Sequence, residues 1–310
     1  MTAEEIGLWS VLISVLGGAI RVGTPFLFVS LGECLTERSG RINLGLEGNL
    51  VLGAMSGYGV AYMTGSAWLG VLAAGCSGVV LGLIHGLLCQ NPRVNHIAVG
   101  IALMIFGIGL AFFLGKPFIQ PQAPRLPALE LGFWSDSPVI RAALEINVLF
   151  IIGALLAPAM AWFFHNARWG LVVRTVGESA DAALAMGINV NRVRLFATMG
   201  GGFLASIGGS FLSLYYPGSW NEGLSSGQGL MAVALVIFAR WNPVYCLFAS
   251  LLFGGAAALG PALQSAGITW GYYLFNAAPY FLTLIIMILT SSGNRLLPGL
   301  PASLSDVQSR

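Results

Sequence analysis

Charged side chains are scarce in this sequence of 310 residues. There are 14 Lys or Arg and 12 Asp or Glu, so charged residues make up 8% of the chain, against about 25% in an ordinary soluble domain. The net charge of +2 supplies no basic surface for a phosphate backbone. The composition therefore excludes a soluble globular protein, a disordered tail and a nucleic-acid-binding protein, and it indicates one membrane domain.

Residues that build common catalytic and metal sites are also few. The four cysteines form neither a disulfide framework nor a Cys-x-x-Cys knuckle, and no His-Glu-x-x-His zinc pattern occurs. A short Gly-Cys-Ser-Gly string at 75–78 matches one seen in rhomboid-type proteases. Its Ser77 would need a base, but His85 lies about 12 Å further along the same helix. We therefore expect neither an enzyme nor a metal site.

Long apolar runs fill most of the chain. Between Leu195 and Asn294 only Glu222 and Arg240 are charged, and a helix needs about 20 apolar residues to cross a bilayer core. These runs do not alternate as barrel strands do, so they predict an all-α polytopic transmembrane helical bundle. We count about nine spans (range 8–10), at 8–35, 44–64, 67–89, 94–114, 144–165, 195–215, 227–240, 242–264 and 270–291.

Two of these spans are irregular, and many glycines suggest close packing. The first contains Arg21 and Pro25, which leaves open one kinked helix or two short pieces. The span at 227–240 is short, so it is either complete, broken or re-entrant.

Glycines recur at small-xxx-small spacing, at 53 and 57 and at 78, 82 and 86, which lets helix backbones approach closely.

The basic residues predict the orientation, because cytoplasmic loops carry an excess of Lys and Arg. One side holds ten of them: Arg38, Arg41, Arg93, Arg168, Arg174, Arg192, Arg194, Arg240, Arg295 and Arg310. The other side holds Lys116, Arg125 and Arg141. We therefore expect the N-terminus outside and the C-terminus in the cytoplasm. No basic residue precedes Arg21, which disfavours a cleaved signal peptide.

Two loops are longer than a helical bundle requires. We expect one membrane domain over 1–298, with an external loop at about 115–143, a cytoplasmic loop at about 166–194 and a cytoplasmic tail at 299–310. The external loop either caps a pore, meets a partner or only tethers two spans. In the cytoplasmic loop, Ser179 can cap a helix that has Asp181 in its first turn and stops at Gly187. Such a two-turn helix either docks into a partner or rests on lipid headgroups.

Several motifs, in order along residues 8–298, together resemble a known family. Asp181-Ala182-Ala183-x-x-x-Gly187 resembles the Glu-Ala-Ala-x-x-x-Gly loop of ABC importer permeases, with Asp in place of Glu. The stretch 187–194 that follows resembles the branched-chain amino acid and ribose-type group of these permeases. Three further segments resemble nucleoside ("simple sugar") permeases: the Gly- and Glu-containing stretch 32–48, the stretch 227–234 with Arg240-Trp241-Asn242-Pro243, and the stretch 279–284. Ribose-type permeases generally carry an additional N-terminal span, which we do not expect here.

The resemblance implies a permease subunit that imports a nucleoside by alternating access across a bacterial inner membrane. In that family the cytoplasmic helix is the coupling helix, which sits in a groove of the ATPase. The matching residues here are Gly177, Glu178, Asp181, Ala182, Ala183, Gly187 and Ile188. Expected partners are a cytoplasmic ATPase, a second permease of the same or a related chain, an external substrate-binding lipoprotein or periplasmic protein, and the bilayer. The chain has no P-loop, so ATP is expected on the partner and no cofactor on this chain.

Polar residues at membrane depth are candidates for the solute pathway, and they are Glu33, Asn43, Glu47, Asn49, Asn276 and Tyr280. Glu33, Glu37 and Arg41 have the spacing of one helical face, and we expect Glu37 and Arg41 to pair. Asn43 and Glu47 repeat that spacing on the next helix. The alternative is an architectural role, in which Glu33 and Glu47 bond to arginines or to the backbone of a broken helix.

Other functions remain open at this point. The solute could instead be riboflavin or a simple sugar. An ion-coupled secondary transporter is disfavoured, because such proteins place ionisable groups near the bilayer midplane and the spans after Leu195 have almost none. A non-transporting membrane scaffold is disfavoured only by the order of the motifs.

Overall fold

The computed structural model describes residues 3–91, 93–267, 271–291, 299 and 301–304. These parts are mainly helical. Their α-helices are α1 (Ala3–Arg38), α2 (Leu46–Thr64), α3 (Ala67–Leu88), α4 (His96–Gly115), α5 (Pro138–Ala143), α6 (Val148–Asn166), α7 (Arg168–Glu178), α8 (Ala180–Ala185), α9 (Val190–Leu214), α10 (Gln228–Phe238), α11 (Pro243–Ser265), α12 (Tyr272–Asn276) and α13 (Ala278–Ser291). Two short strands, β1 (Ala128–Glu130) and β2 (Glu145–Asn147), and a 3-10 helix at Lys116–Phe118 complete the list.

Asparagine starts four of the longer helices. The side chains of Asn95, Asn147, Asn189 and Asn242 each accept a hydrogen bond from a first-turn amide of α4, α6, α9 and α11 respectively. An Asn side chain at this position satisfies an amide that has no partner inside the helix. The polar residue before each apolar run therefore fixes where the helix begins.

Six helices are long and apolar enough to cross a membrane, within the part of the chain that the structure describes. They cover Val11–Arg38, Ala67–Leu88, His96–Phe118, Val148–Asn166, Val190–Leu214 and Pro243–Ser265. The first predicted span is one continuous helix that includes Pro25. The predicted spans at 44–64, 227–240 and 270–291 correspond to α2, to the 11-residue α10 and to the short helices α12 and α13. The chain is thus a multi-pass helical membrane protein, and the count of nine spans stays a prediction.

Helix α9 lies at the centre of the bundle, packed against α1, α2 and α3. Glycines make this packing possible. A Cβ at Gly78 of α3 would lie against the carbonyl oxygen of Gly202, and a Cβ at Gly209 would lie against that of Leu50 in α2. The small-xxx-small glycines of α3 therefore have the close-packing role predicted for them.

The loop between α4 and α6 is more structured than expected. Strands β1 and β2 pair antiparallel, with Leu129 opposite Ile146, and the short helix α5 lies between them. Prolines at 121, 124 and 127 oppose helix formation before β1. The bundle is helical as predicted, and the two three-residue strands are confined to this loop.

The glycine packing gives a test of the fold. We expect Gly78→Ala to destabilise the protein by about 1–3 kcal/mol, because the new methyl group overpacks the α3–α9 contact. The measurement is thermal unfolding of the purified protein in detergent. The matched control is Gly109→Ala in α4, where a Cβ has no atom within 4 Å. Equal melting temperatures for the two variants would contradict the packing described above.

Candidate functional site

The short helix α10 begins at a glutamate from another helix. Its N-cap residue is Gly227, which has a φ of +80° and no side chain to cap the first amides. The Glu47 carboxylate of α2 fills that role. Its Oε1 accepts from Ser225 Oγ at 2.5 Å and from the Gly227 amide at 3.1 Å, and its Oε2 accepts from the Gly229 amide at 2.6 Å. Glu47 is 5% exposed, and its negative charge lies at the positive end of the helix.

The other end of α10 is held by the end of α1. Trp241, 2% exposed, follows the helix. Its indole Nε1 donates a hydrogen bond to Glu37 Oε2. Its carbonyl oxygen accepts from Arg38 Nε at 2.9 Å and from Cys34 Sγ at 3.2 Å. Both ends of α10 are therefore bonded to side chains from the segment that runs from α1 into α2.

The expected pairing of Glu37 with Arg41 is wrong. Helix α1 ends at Arg38 and Gly40 has a φ of +82°, so Arg41 leaves the helical face that the spacing implied. Arg41 is buried instead with its Nη1 3.5 Å from the Gly86 carbonyl oxygen. Burial lowers the pKa of Arg41 below its usual value.

Glu33 and Asn43 meet at the turn between α1 and α2. Glu33 Oε1 accepts from the Asn43 amide at 2.8 Å, and Asn43 Oδ1 accepts from the Gly45 amide at 2.9 Å. Asn43 precedes α2, which begins at Leu46, so the expected helical spacing of Asn43 and Glu47 is wrong. Among the described residues Glu33 binds a backbone amide and lies beside the Glu37 carboxyl, and Glu47 binds backbone amides and a serine; neither pairs with an arginine.

Four buried polar atoms in or next to this turn have no hydrogen-bond partner among the described residues. They are Glu33 Oε2, Arg41 Nε, Asn43 Nδ2 and Asn49 Oδ1. Asn49 lies in the second turn of α2, where its backbone carbonyl accepts from Ser206 Oγ of α9 at 2.7 Å. Unsatisfied buried groups are rare in folded proteins, so this cluster is chemically distinct from the apolar packing around it.

The remaining pathway candidates lie in two places. Tyr280 of α13 donates from its hydroxyl to the Ser226 carbonyl at 3.2 Å, which puts it beside Glu47 at the start of α10. Asn276 of α12 packs instead against α11, since a Cβ at Gly260 would lie 2.5 Å from its Oδ1. The structure thus brings together Glu47 and Tyr280, and Glu33 with Asn43, but it does not gather all six predicted residues in one cavity.

The helix predicted in the long loop is present as α8. Ser179 Oγ accepts from the Ala182 amide at 3.2 Å, and Gly187 has a φ of +77°, as expected of a stop residue. Ala183 is buried, whereas Leu184 and Met186 are 58% and 61% exposed. The helix therefore presents apolar side chains on the surface of the chain.

Helix α7 and its contact with α1 were not predicted from the sequence. A Cβ at Gly177, near the end of α7, would collide with the carbonyl oxygen of Arg38. Ser303 Oγ donates to the Gly177 carbonyl at 2.6 Å, and Glu178 Oε2 accepts from the Ala302 amide at 3.4 Å. Of the seven coupling candidates, Gly177 and Glu178 thus lie against α1 and the tail, while Asp181, Ala182, Ala183, Gly187 and Ile188 belong to α8 or the turn after it.

Ser225 and Trp241 were also missed as partners of the two glutamates. The available signal was the position of turn residues around a run too short to cross a membrane. Ser226 and Gly227 precede α10, and Asn242 and Pro243 follow Trp241. A helix bounded in this way inside a membrane domain needs partners for its end groups, and buried carboxylates are suited to that task.

Comparison with known proteins agrees with the predicted resemblance. A family model described as the permease component of the branched-chain amino acid transport system matches residues 15–291. The match covers the site described above, including α1 from residue 15 onward. It includes Glu33, Glu47, the α7–α8 segment and Trp241.

Individual relatives cover nearly the whole chain. A Haloferax volcanii protein, provisionally named as a glucose ABC transporter permease protein, is 33% identical over 259 residues, covering 82% of this chain and 79% of its own. A nucleoside ABC transporter permease protein of Lactococcus lactis subsp. cremoris is 30% identical over 283 residues (86% and 88%). A guanosine ABC transporter permease protein of Bacillus subtilis is 29% identical over 295 residues (89% and 92%).

The Glu47 contacts give a test that separates an architectural role from a solute-binding one. We expect Glu47→Gln to lower thermal stability and subunit assembly, because an amide nitrogen cannot accept from Gly229 and hydrogen bonds to a charged group contribute about 1.5–3 kcal/mol. The measurements are melting temperature in detergent, yield of assembled complex and uptake. Loss of uptake with normal stability and assembly would instead place Glu47 in contact with the solute. If none of the three changed, neither role would stand.

Proposed function

The chain belongs to the family of permease components of ABC transporters typified by the branched-chain amino acid system, and on that premise we propose that it forms an importer pathway for nucleosides. The strongest support for the solute is that relatives named for nucleoside and guanosine transport match it over most of both chains. A simple sugar is the second candidate, since a relative at 33% identity is named for glucose.

We further propose that α8 is the coupling helix. Its support is geometric: α8 is capped by Ser179, ends at a left-handed glycine, and exposes Leu184 and Met186 rather than burying them in the bundle. Exposed apolar side chains of this kind suit a groove on a partner. The partner is the cytoplasmic ATPase, which binds ATP for the complex.

The remaining parts of the proposal follow the family and the distribution of charge. The N-terminus lies outside, the arginine-rich side faces the cytoplasm of a bacterium, and nine spans cross the inner membrane, with α10 as the helical part of a broken seventh span. A second permease chain completes the pore, and an external binding protein delivers the solute. The cycle is alternating access, in which each closure of the ATPase displaces α8.

The solute pathway is proposed near the α1–α2 turn and the start of α10. The unpartnered atoms of Glu33, Asn43 and Asn49 are donors and acceptors of the kind that match ribose hydroxyls and base edges. Tyr280 is half exposed beside the same helix end. Asn276 is the weakest candidate, because it packs against Gly260.

Uptake assays test the proposed solute. We expect proteoliposomes that contain the complex with its partner ATPase and ATP to accumulate labelled guanosine. Unlabelled adenosine should compete with the labelled guanosine, and unlabelled glucose should not. Omitting the ATPase is the control. Accumulation of labelled glucose but not of labelled guanosine would replace the nucleoside with a sugar. Accumulation without ATP that collapses with the proton gradient would contradict the ABC mechanism.

A backbone substitution tests the coupling role of α8. We expect Gly187→Pro to uncouple ATP hydrolysis from uptake, because proline fixes φ near −65° and Gly187 has a φ of +77°. The measurement is uptake per ATP hydrolysed. The matched control is Gly65→Pro at the end of α2, where the φ is +71° and a Cβ likewise meets nothing within 4 Å. If Gly187→Pro kept the normal ratio, the assignment of α8 would be wrong.

A further inference from the structure

We propose that Trp241 is a positioning residue that links the α7–α8 segment to α10. When the ATPase displaces the α7–α8 segment, α10 is then the helix of the bundle that is displaced with it. This inference rests on the proposed function, because it assumes that the ATPase displaces the chain at α8. It adds a path, made of named contacts, from that point to the helix beside the proposed solute pathway.

The first contact joins α7 to the end of α1. Gly177 lies so close to the Arg38 carbonyl oxygen that a Cβ there could not be accommodated. Ser303 stabilises this contact between α7 and α1, since its hydroxyl donates to the Gly177 carbonyl at 2.6 Å. Backbone against backbone leaves no flexible side chain between the two helices, so a displacement of α7 reaches Arg38 directly.

The second contact joins the end of α1 to Trp241. Arg38 meets α7 through its carbonyl oxygen and meets Trp241 through its guanidinium, whose Nε lies 2.9 Å from the Trp241 carbonyl oxygen. The guanidinium also lies over the Phe164 ring, 5.4 Å from its centroid, which holds its orientation. Glu37, one residue earlier, accepts from the Trp241 indole. Trp241 is thus held at its backbone and at its side chain by two consecutive residues.

The third contact joins Trp241 to α10. The Trp241 amide donates to the Val236 carbonyl at 3.2 Å and the Arg240 amide donates to that of Ile237 at 3.0 Å. Arg240 and Trp241 have φ values of +52° and +54°, a left-handed conformation that residues with a Cβ adopt only where their surroundings hold them. The hydrogen bonds from Trp241 to Glu37 and Arg38 supply that restraint. Losing them would let the backbone at Arg240 and Trp241 leave the left-handed conformation.

The far end of α10 is where a displacement would matter. The helix is about 16 Å long at 1.5 Å per residue, and it transmits a push along its axis because its backbone is internally bonded. Its first turn lies against Glu47, and the residue just before its N-cap, Ser226, binds Tyr280 through its carbonyl. Movement at Trp241 would therefore rearrange the contacts of both proposed pathway residues at this end.

The test compares two buried tryptophans in the intact transporter. Trp241→Phe keeps an aromatic ring but removes the indole donor to Glu37. Trp220→Phe is the matched control, because Trp220 is equally buried and its Nε1 has no hydrogen-bond partner among the described residues. We expect Trp241→Phe to lower uptake per ATP hydrolysed by about fivefold, as loss of an ordinary hydrogen bond would, and Trp220→Phe to leave the ratio unchanged.

A second variant changes the first contact of the path, between α7 and Arg38. Gly177→Ala should lower the same ratio, because its methyl group forces α7 away from Arg38. In the double variant the losses should not multiply, since both changes break one path. The proposal would be overturned if the losses in the double variant multiplied, or if either single variant kept the normal ratio of uptake to ATP hydrolysed. It would also be overturned if uptake and ATP hydrolysis fell equally. If Trp241→Phe did not assemble, the ratio of Gly177→Ala alone would decide.

One further measurement separates failure of this inference from failure of the proposed function. Met186→Cys places an exposed thiol just after the last residue of α8, and we expect a bifunctional thiol–amine reagent to cross-link it to a lysine of the ATPase, with the unsubstituted chain, whose Cys76 is exposed, as the control. Absence of that cross-link would remove the coupling helix itself. A cross-link together with an unchanged Trp241→Phe ratio would leave α8 in place and overturn only the role of Trp241.

Discussion

A helix of eleven residues is too short to cross hydrocarbon, and this constraint organises the centre of the molecule. Its end groups stop within the bundle, where an unsatisfied backbone amide or carbonyl costs several kcal/mol. Glu47 satisfies the amides at one end, while Glu37, Arg38 and Cys34 bind the tryptophan that closes the other. The segment from α1 into α2 therefore exists in its observed form largely because α10 needs partners.

The local features of the chain were predictable, because they depend on residues close in sequence. Ser179 and Gly187 predicted α8 correctly, since a cap and a left-handed stop need only the residues around them. The contacts of the glutamates were not predictable in the same way. Glu37 binds Trp241, which lies 204 positions further along the chain, and the left-handed Gly40 turns Arg41 away from the face it was expected to share.

The difference between nine predicted spans and six long apolar helices has a related cause. Hydropathy averages over about 20 residues, so it cannot distinguish a helix that crosses the membrane from a short one that stops inside protein. Helix α2 carries Glu47 and Asn49 because it packs against α10 and α9 rather than facing lipid alone. The polar residues that weaken its apolar character are the ones that position its neighbours.

The scarce charges of this chain are used mainly to hold backbone groups. Within the described residues, the ion pair that is present, Arg141 with Asp136, is largely exposed and lies in the loop between α4 and α6, where such pairs contribute little. Inside the bundle, Glu33, Glu47 and Arg38 bind amides or a carbonyl. A charge bonded to a helix end moves only with that end or by breaking the bond. Because both ends of α10 are bonded to the same segment of α1 and α2, the two parts have to shift together or separate completely, which suits a switch between two discrete states better than a gradual deformation.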